Sequence, residues 1–169
     1  MQLTDLVRLT DGAFTVKDML QMEQQVLSAL RFELNVTTAF TFLETFLTAL
    51  RCRCRVSRFF AQFLLECCLT ELQMLRFEPS TLALAALMCT VRKLNEKGAI
   101  YVVGLGCGLN CVALEALIQQ QAINEQSLMV CAQQMMALTS EVGLIVNSIK
   151  QKYSQASMLL VQPLVGLIK

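Results

Sequence analysis

The sequence predicts an all-α protein, and three observations support this fold class. Apolar residues recur at three- and four-residue spacings along most of the chain, which is the pattern of amphipathic helices. Helix-start signals precede two of these stretches: Thr15 and Asp18 are spaced as in a capping box, and Pro79 opens an Ala-rich run. Hydrophobic residues make up 55% of the 169 residues, which is ample for a buried core.

The N-terminal part of the chain predicts a short helix and then a longer one. The segment MQLTDLVRLTDG forms the first helix and ends in the turn at Gly12. The second helix is capped by Thr15 and runs to about Arg31, so that residues 32–34 leave it. Its apolar stripe consists of Met19, Met22, Val26, Leu27 and Leu30.

The rest of the chain predicts further helices, which by apolar spacing lie at 38–50, 56–75, 79–94, 111–120, 124–140 and 142–153. The helix at 79–94 is apolar nearly all round and rich in Ala, so we expect it at the centre with the other helices around it. The apolar tail at 158–169 has no clear periodicity and is expected to pack along the bundle or against a partner.

Composition argues against several classes of function. With 14 Lys and Arg against 13 Asp and Glu, the net charge of +1 provides no long-range field for nucleic acid or an anionic membrane. The absence of His excludes most catalytic triads and most zinc enzymes, so we expect neither an enzyme nor a small-molecule substrate. The eight Cys lack a signal-peptide pattern and are expected to be reduced, intracellular and mostly buried as small hydrophobes, as for Cys67, Cys68, Cys89 and Cys131.

Cysteine pairs are the only candidate metal ligands in the sequence. Cys52 with Cys54 and Cys107 with Cys111 could in principle bind a metal ion. Neither pair has the two-residue spacing of a zinc knuckle, and no His completes a set of four. We therefore expect no bound metal.

Solvent-exposed surface is the simplest explanation of the charged clusters in the sequence. The basic run RCRCRVSR at 51–58 could be a nucleic-acid or nuclear-import patch, but no aromatic residues alternate with it, which favours a solvated connector. Glu66 with Glu71 and Glu23 with Glu33 are acidic pairs that could act as acid and base. Neither lies in a polar or glycine-rich pocket sequence, so solvated helix faces explain them better.

The glycine-rich segment at 98–110 leaves two other interpretations to consider. AIYVV followed by GLGCGLN could be a strand entering a dinucleotide-binding turn, but the spacing Gly-x-Gly-x-Gly favours an interhelical connector. The least charged stretch, 99–114, has about 16 residues, fewer than the ~20 that a membrane-spanning helix requires.

Several segments resemble cyclins. TVKDMLQMEQQVLSALRFELNVTTAFTFLETFL resembles the end of the first cyclin box and the entry to the second in A- and B-type mitotic cyclins, with the signature Met-Glu-x-x-Val-Leu-x-x-Leu-x-Phe-x-Leu running from Met22 to Leu34. The preceding LVRLTDGAFT is similar to the fourth helix of the first box and the corner after it. Downstream, FFAQFLLECCLTELQMLRFEPSTLALAALMCTVRKL is similar to helices two and three of the second box, and NSIKQKYSQASMLLVQPL to its closing segment.

The resemblance implies a truncated cyclin with a cyclin-like helical bundle. Residues 1–36 would be the remnant of the N-terminal cyclin box, namely its last two helices, and residues 37–169 the C-terminal cyclin box with five helices. Because half a box leaves its inner face uncovered, we expect Met19, Val26 and Leu30 to be partly exposed.

The resemblance also implies a function. Such a protein is a regulatory subunit that docks on and activates a cyclin-dependent Ser/Thr protein kinase in cell-cycle control, in the nucleus and cytoplasm, without a cofactor of its own. The matching contact residues are Glu23, Leu27, Phe32 and Leu34. Two other functions stay open: a helical protein-interaction module with no kinase-activating role, and a membrane-associated protein that uses its glycine-rich stretch.

Overall fold

The computed structural model describes residues 2–96, 109, 111–140 and 144–153, and all regular structure within them is helical. This confirms the predicted all-α class. The α-helices are α1 (Leu3–Leu9), α2 (Val16–Ala29), α3 (Ala39–Ala49), α4 (Arg55–Cys68), α5 (Pro79–Glu96), α6 (Cys111–Gln120), α7 (Glu125–Ser140) and α8 (Leu144–Tyr153), and a 3₁₀ helix spans Leu72–Arg76. The predicted glycine-rich connector at 98–108 and the tail at 158–169 lie outside the described residues.

The chain divides into two compact units, Met1–Val36 and Thr37–Lys169. In the first unit α1 packs against α2. The predicted capping box starts α2: the Thr15 N–H donates to Asp18 Oδ2 over 2.9 Å, and the Asp18 N–H donates to Thr15 Oγ1 over 3.2 Å. The hydrogen bond from the Thr15 hydroxyl is the main reason that the pKa of Asp18 is lowered.

The end of α2 is a left-handed turn made of two large residues. The last helical residue is Ala29, two residues before the predicted end, and Arg31 and Phe32 follow with φ of 51° and 58°. The Phe32 N–H donates to the Leu27 carbonyl over 2.9 Å, which turns the chain back onto the last helical turn. A positive φ is costly for side chains of this size, so the turn is strained.

The second unit is built around α5, as the sequence predicts. Ala83, Leu84, Ala85, Ala86 and Leu87 are five consecutive residues with no exposed surface, so every face of the helix is covered. The neighbours that cover it are α3, α4, α6 and α7. Ala residues in this run allow the neighbouring helices to approach closely, which gives the core its density.

Polar contacts join α4 to α3 and to α8. In the first half of α4, Arg58 forms an ion pair with Glu44 of α3, and Gln62 Nε2 donates to the other carboxylate oxygen of Glu44 over 3.3 Å. Near the end of α4, Glu66 Oε1 accepts from the Tyr153 hydroxyl of α8 over 2.9 Å and from the neighbouring Lys152 Nζ over 2.7 Å. Glu66 is therefore a structural residue, and the predicted solvated-face interpretation is wrong for it.

The single helix predicted over 56–75 is also wrong. α4 ends at Cys68, and a separate 3₁₀ helix follows at Leu72–Arg76. The buried side chains of this second segment are Met74 and Phe77, which are three residues apart. In a 3₁₀ helix residues three apart lie on the same side, so Met74 and Phe77 can both face the core. A continuation of α4 would instead carry the chain away from the core.

The buried thiols predict a loss of stability at alkaline pH. Burial raises the pKa of Cys89 and of Cys131 to about 12, from an ordinary value near 9. Since the folded-state pKa lies above the unfolded one, the stabilisation is complete below pH 9 and is lost as the pH rises toward 12. We expect the free energy of unfolding in urea to fall by up to ~1.4 kcal/mol per pH unit for each thiol.

A double variant, Cys89→Ala with Cys131→Ala, tests this assignment. It should make the decline of unfolding free energy with pH less steep, because it removes two of the buried thiols whose ionisation opposes folding. Cys111→Ala is the matched control, since the Cys111 thiol is exposed, and it should leave the slope unchanged. Equal slopes for the double variant and the control would contradict the assignment.

The left-handed turn predicts that Arg31→Gly stabilises the end of α2. Glycine adopts a φ near 51° without the clash of a Cβ atom, which relieves about 0.5–1 kcal/mol. We expect about two- to fivefold slower hydrogen exchange at the Leu30 and Phe32 amides, which bond back into α2. Ser28→Gly, inside α2, is the control and should speed exchange at the same amides; a slowing in both variants would refute the strain.

Candidate functional site

The structure places the predicted site residues on α2 and the turn that follows it. Glu23 and Leu27 are four residues apart within α2 and therefore lie on the same side of the helix. The Glu23 side chain is exposed and Leu27 is half-buried. Phe32 and Leu34 come after the helix end, and the hydrogen bond from the Phe32 N–H to the Leu27 carbonyl ties the turn to this part of the helix.

The turn presents large apolar side chains to solvent. Phe32 is 66% exposed and Leu34 is 61% exposed, although both are residue types that usually lie inside a protein. The backbone around them is ordered by short-range bonds: the Leu34 N–H donates to the Phe32 carbonyl over 3.0 Å, and the Val36 N–H donates to the Leu34 carbonyl over 3.1 Å. A strained, hydrogen-bonded turn that exposes apolar residues is typical of a binding site.

We call this region the α2 surface, defined as Glu23, Val26, Leu27, Leu30, Phe32, Leu34 and Val36. The expected exposure of the apolar stripe is confirmed, because Val26 and Leu30 are about half exposed and Met19 is partly exposed. Val36 was not predicted, and it is as exposed as its neighbours. Its place two residues after Leu34, in the same segment, is the signal that could have found it.

The α2 surface has the composition of a protein interface. It places the charged Glu23 beside an apolar area, which matches an interface whose centre excludes water and whose rim fixes orientation, and Arg31 and Glu33 of the turn are also exposed. Among the described residues no group of His, Cys, Asp or Glu is arranged to hold a metal ion. None of the helices in the described ranges is both long enough and apolar enough to cross a membrane.

The basic run at 51–58 is solvated at Arg51, Arg53 and Arg55, as predicted, but its two cysteines belong to the core. Cys52 and Cys54 are only 6% and 5% exposed, while the arginines between and around them face solvent. Burial, above all, raises the pKa of Cys52. The last arginine of the run, Arg58, belongs to α4 and pairs with Glu44. The run is thus an ordered part of the second unit.

The chain matches two family models in sequence order. The model described as the cyclin N-terminal domain matches residues 1–35, and the model described as the cyclin C-terminal domain matches residues 37–165. The site segment therefore falls in the first match, and the α5-centred bundle falls in the second.

Curated relatives are plant cyclins. Cyclin-B2-2 of Arabidopsis thaliana is 30% identical over 156 residues, covering 90% of this chain and 32% of that protein. Cyclin-B2-1 of the same plant is 41% identical over 100 residues, covering 54% of this chain and 23% of that protein. G2/mitotic-specific cyclin-1 of Medicago sativa subsp. varia is 41% identical over 90 residues, covering 52% and 21%.

This chain spans about a fifth to a third of the length of these relatives. Within that span the C-terminal domain model alone accounts for residues 37–165, the part of the chain that contains the buried α5 and the helices around it. Together with the all-helical architecture, this match means that the chain belongs to the cyclin family.

Proposed function

We propose that this chain is a non-catalytic regulatory subunit that binds a cyclin-dependent Ser/Thr protein kinase through the α2 surface. The observation that carries the proposal is the exposure of Phe32 and Leu34 on an ordered, strained turn beside Glu23. Those residues belong to the segment with the most specific likeness to mitotic cyclins. Relatives named G2/mitotic-specific cyclins support a role in cell-cycle control.

The physics of the surface fits a stable protein contact. Leu34 and Phe32 are large apolar anchors, and burying each against a partner gains roughly 1.5–3 kcal/mol. Little ordering cost remains for the backbone, because the bond from the Phe32 N–H to the Leu27 carbonyl already holds the turn. Glu23 adds a charge that a basic residue of the kinase could meet at the rim.

The test is co-purification of the chain with a panel of cyclin-dependent kinases, with histone phosphorylation as the readout of activation. We expect the Phe32→Ala and Leu34→Ala double variant to weaken binding by at least about tenfold, since truncating anchors at an interface centre typically costs more than 1 kcal/mol each. Glu23→Ala should weaken binding less and chiefly at low salt.

Leu72→Ala with Leu75→Ala is the matched control. These two leucines are at least as exposed as Phe32 and Leu34 but lie in the second unit, so their removal should not change kinase binding. An equal loss in both double variants would mean that the α2 surface is not the contact. Binding without phosphorylation would favour the other function considered, a helical interaction module with no kinase-activating role.

A further inference from the structure

Arg51, Arg53 and Arg55 form a row of exposed cations that the kinase proposal does not use. The side chains alternate across this segment: the two cysteines between them are buried, and the three arginines face solvent. Arg51 lies in the left-handed region with φ of 51°, residues 52–54 have no helical structure, and Arg55 is the first residue of α4. The three exposed cations therefore follow one another along the link into α4.

The row has no acidic residue close to it in the sequence. No Asp or Glu occurs between Glu44 and Glu66 in the sequence, and Glu44 is already paired with Arg58. Within the ranges that the structure describes, no carboxylate pairs with Arg51, Arg53 or Arg55. The row is therefore a concentrated positive patch on a chain whose net charge is only +1.

The position of the row does not stabilise the fold. Arg55 is the first residue of α4, and cations at the N-terminal end of a helix oppose its dipole. No acidic residue occupies the first turn of α4 to offset this effect. An anion bound along the row would relieve the repulsion, so the arrangement favours an anionic ligand over a purely structural role.

The arrangement of the charges indicates what kind of anion fits. Three exposed arginines that alternate with buried cysteines along the chain match several carboxylates of an acidic peptide better than one compact anion, which needs several donors converging on it. Beside the row lies a depression of about 440 Å³, lined by Leu47, Thr48, Arg51, Cys52, Arg53 and Arg58. It gives the row a concave side along which a peptide main chain can lie.

Nucleic acid fits this surface less well. Proteins that bind single strands add aromatic platforms on which the bases stack. The aromatic residues nearest in sequence are Phe59, which is half-buried, and Phe46 and Phe60, which are buried. The row therefore has the charge for a nucleic-acid site but not the stacking surface.

We propose that Arg51, Arg53 and Arg55 form a docking surface for an acidic segment of a partner protein. This surface lies in the second unit and goes beyond kinase binding by the α2 surface. It gives the chain a way to select among proteins by charge pattern.

The test is fluorescence anisotropy of the full chain with a labelled peptide of alternating glutamate and serine. We expect saturable binding at about 50 mM salt that weakens at about 300 mM, because exposed ion pairs are screened. The same peptide with glutamine in place of glutamate, and the triple variant Arg51→Gln, Arg53→Gln, Arg55→Gln, should each raise Kd by at least about tenfold.

Removing three positive charges elsewhere provides the control. The triple variant Arg8→Gln, Lys17→Gln, Arg76→Gln changes net charge equally and should leave Kd within about twofold. Absence of saturable binding, an equal loss in both triple variants, or tighter binding of oligouridine than of the peptide would overturn the proposal.

Discussion

A helix that is apolar on every side cannot be stable in water until other helices cover all of its faces, and α5 sets this requirement for the second unit. The five fully buried residues from Ala83 to Leu87 have neighbours in α3, α4, α6 and α7. Because alanines alternate with leucines in this run, several helices can approach the same axis closely. The helices that contact α5 can accordingly be amphipathic, with one side for α5 and one for solvent.

The packing of helices on α5 restricts where binding surfaces can arise. A residue whose side chain faces α5 is fixed by packing, so variation there is costly. Two segments that expose side chains without such packing are the turn after α2, in the first unit, and the arginines around the start of α4, in the second. Both segments lie at helix ends, and their exposed side chains are oriented by local backbone conformation rather than by a core.

Local signals were predictable from the sequence, and distant ones were not. The start of α2 followed from Thr15 and Asp18 because both partners of the capping box lie within four residues. The end of α2 was placed too late, since no glycine marks the left-handed turn at Arg31. The break after α4 depends on burying Met74 and Phe77, which helical spacing alone could not distinguish from a continued helix.

The candidate site was likewise only partly predictable from the sequence. Phe32 and Leu34 were identified by family resemblance, and periodicity ended before reaching them. Their exposure follows from the turn geometry, which only the structure provides. The role of Glu66 was missed altogether, because its partner Tyr153 lies 87 residues further along the chain.

That long separation has a consequence for the order of folding. Helices α3, α4 and α5 are consecutive and can associate soon after they form. By contrast, α8 can pack on α4 only after the long stretch of chain between them has folded back. The Phe63 and Tyr153 rings, whose centroids are 5.6 Å apart, meet at this last junction. During synthesis, the side of α4 that α8 covers stays open to solvent or to a chaperone until residue 153 has left the ribosome.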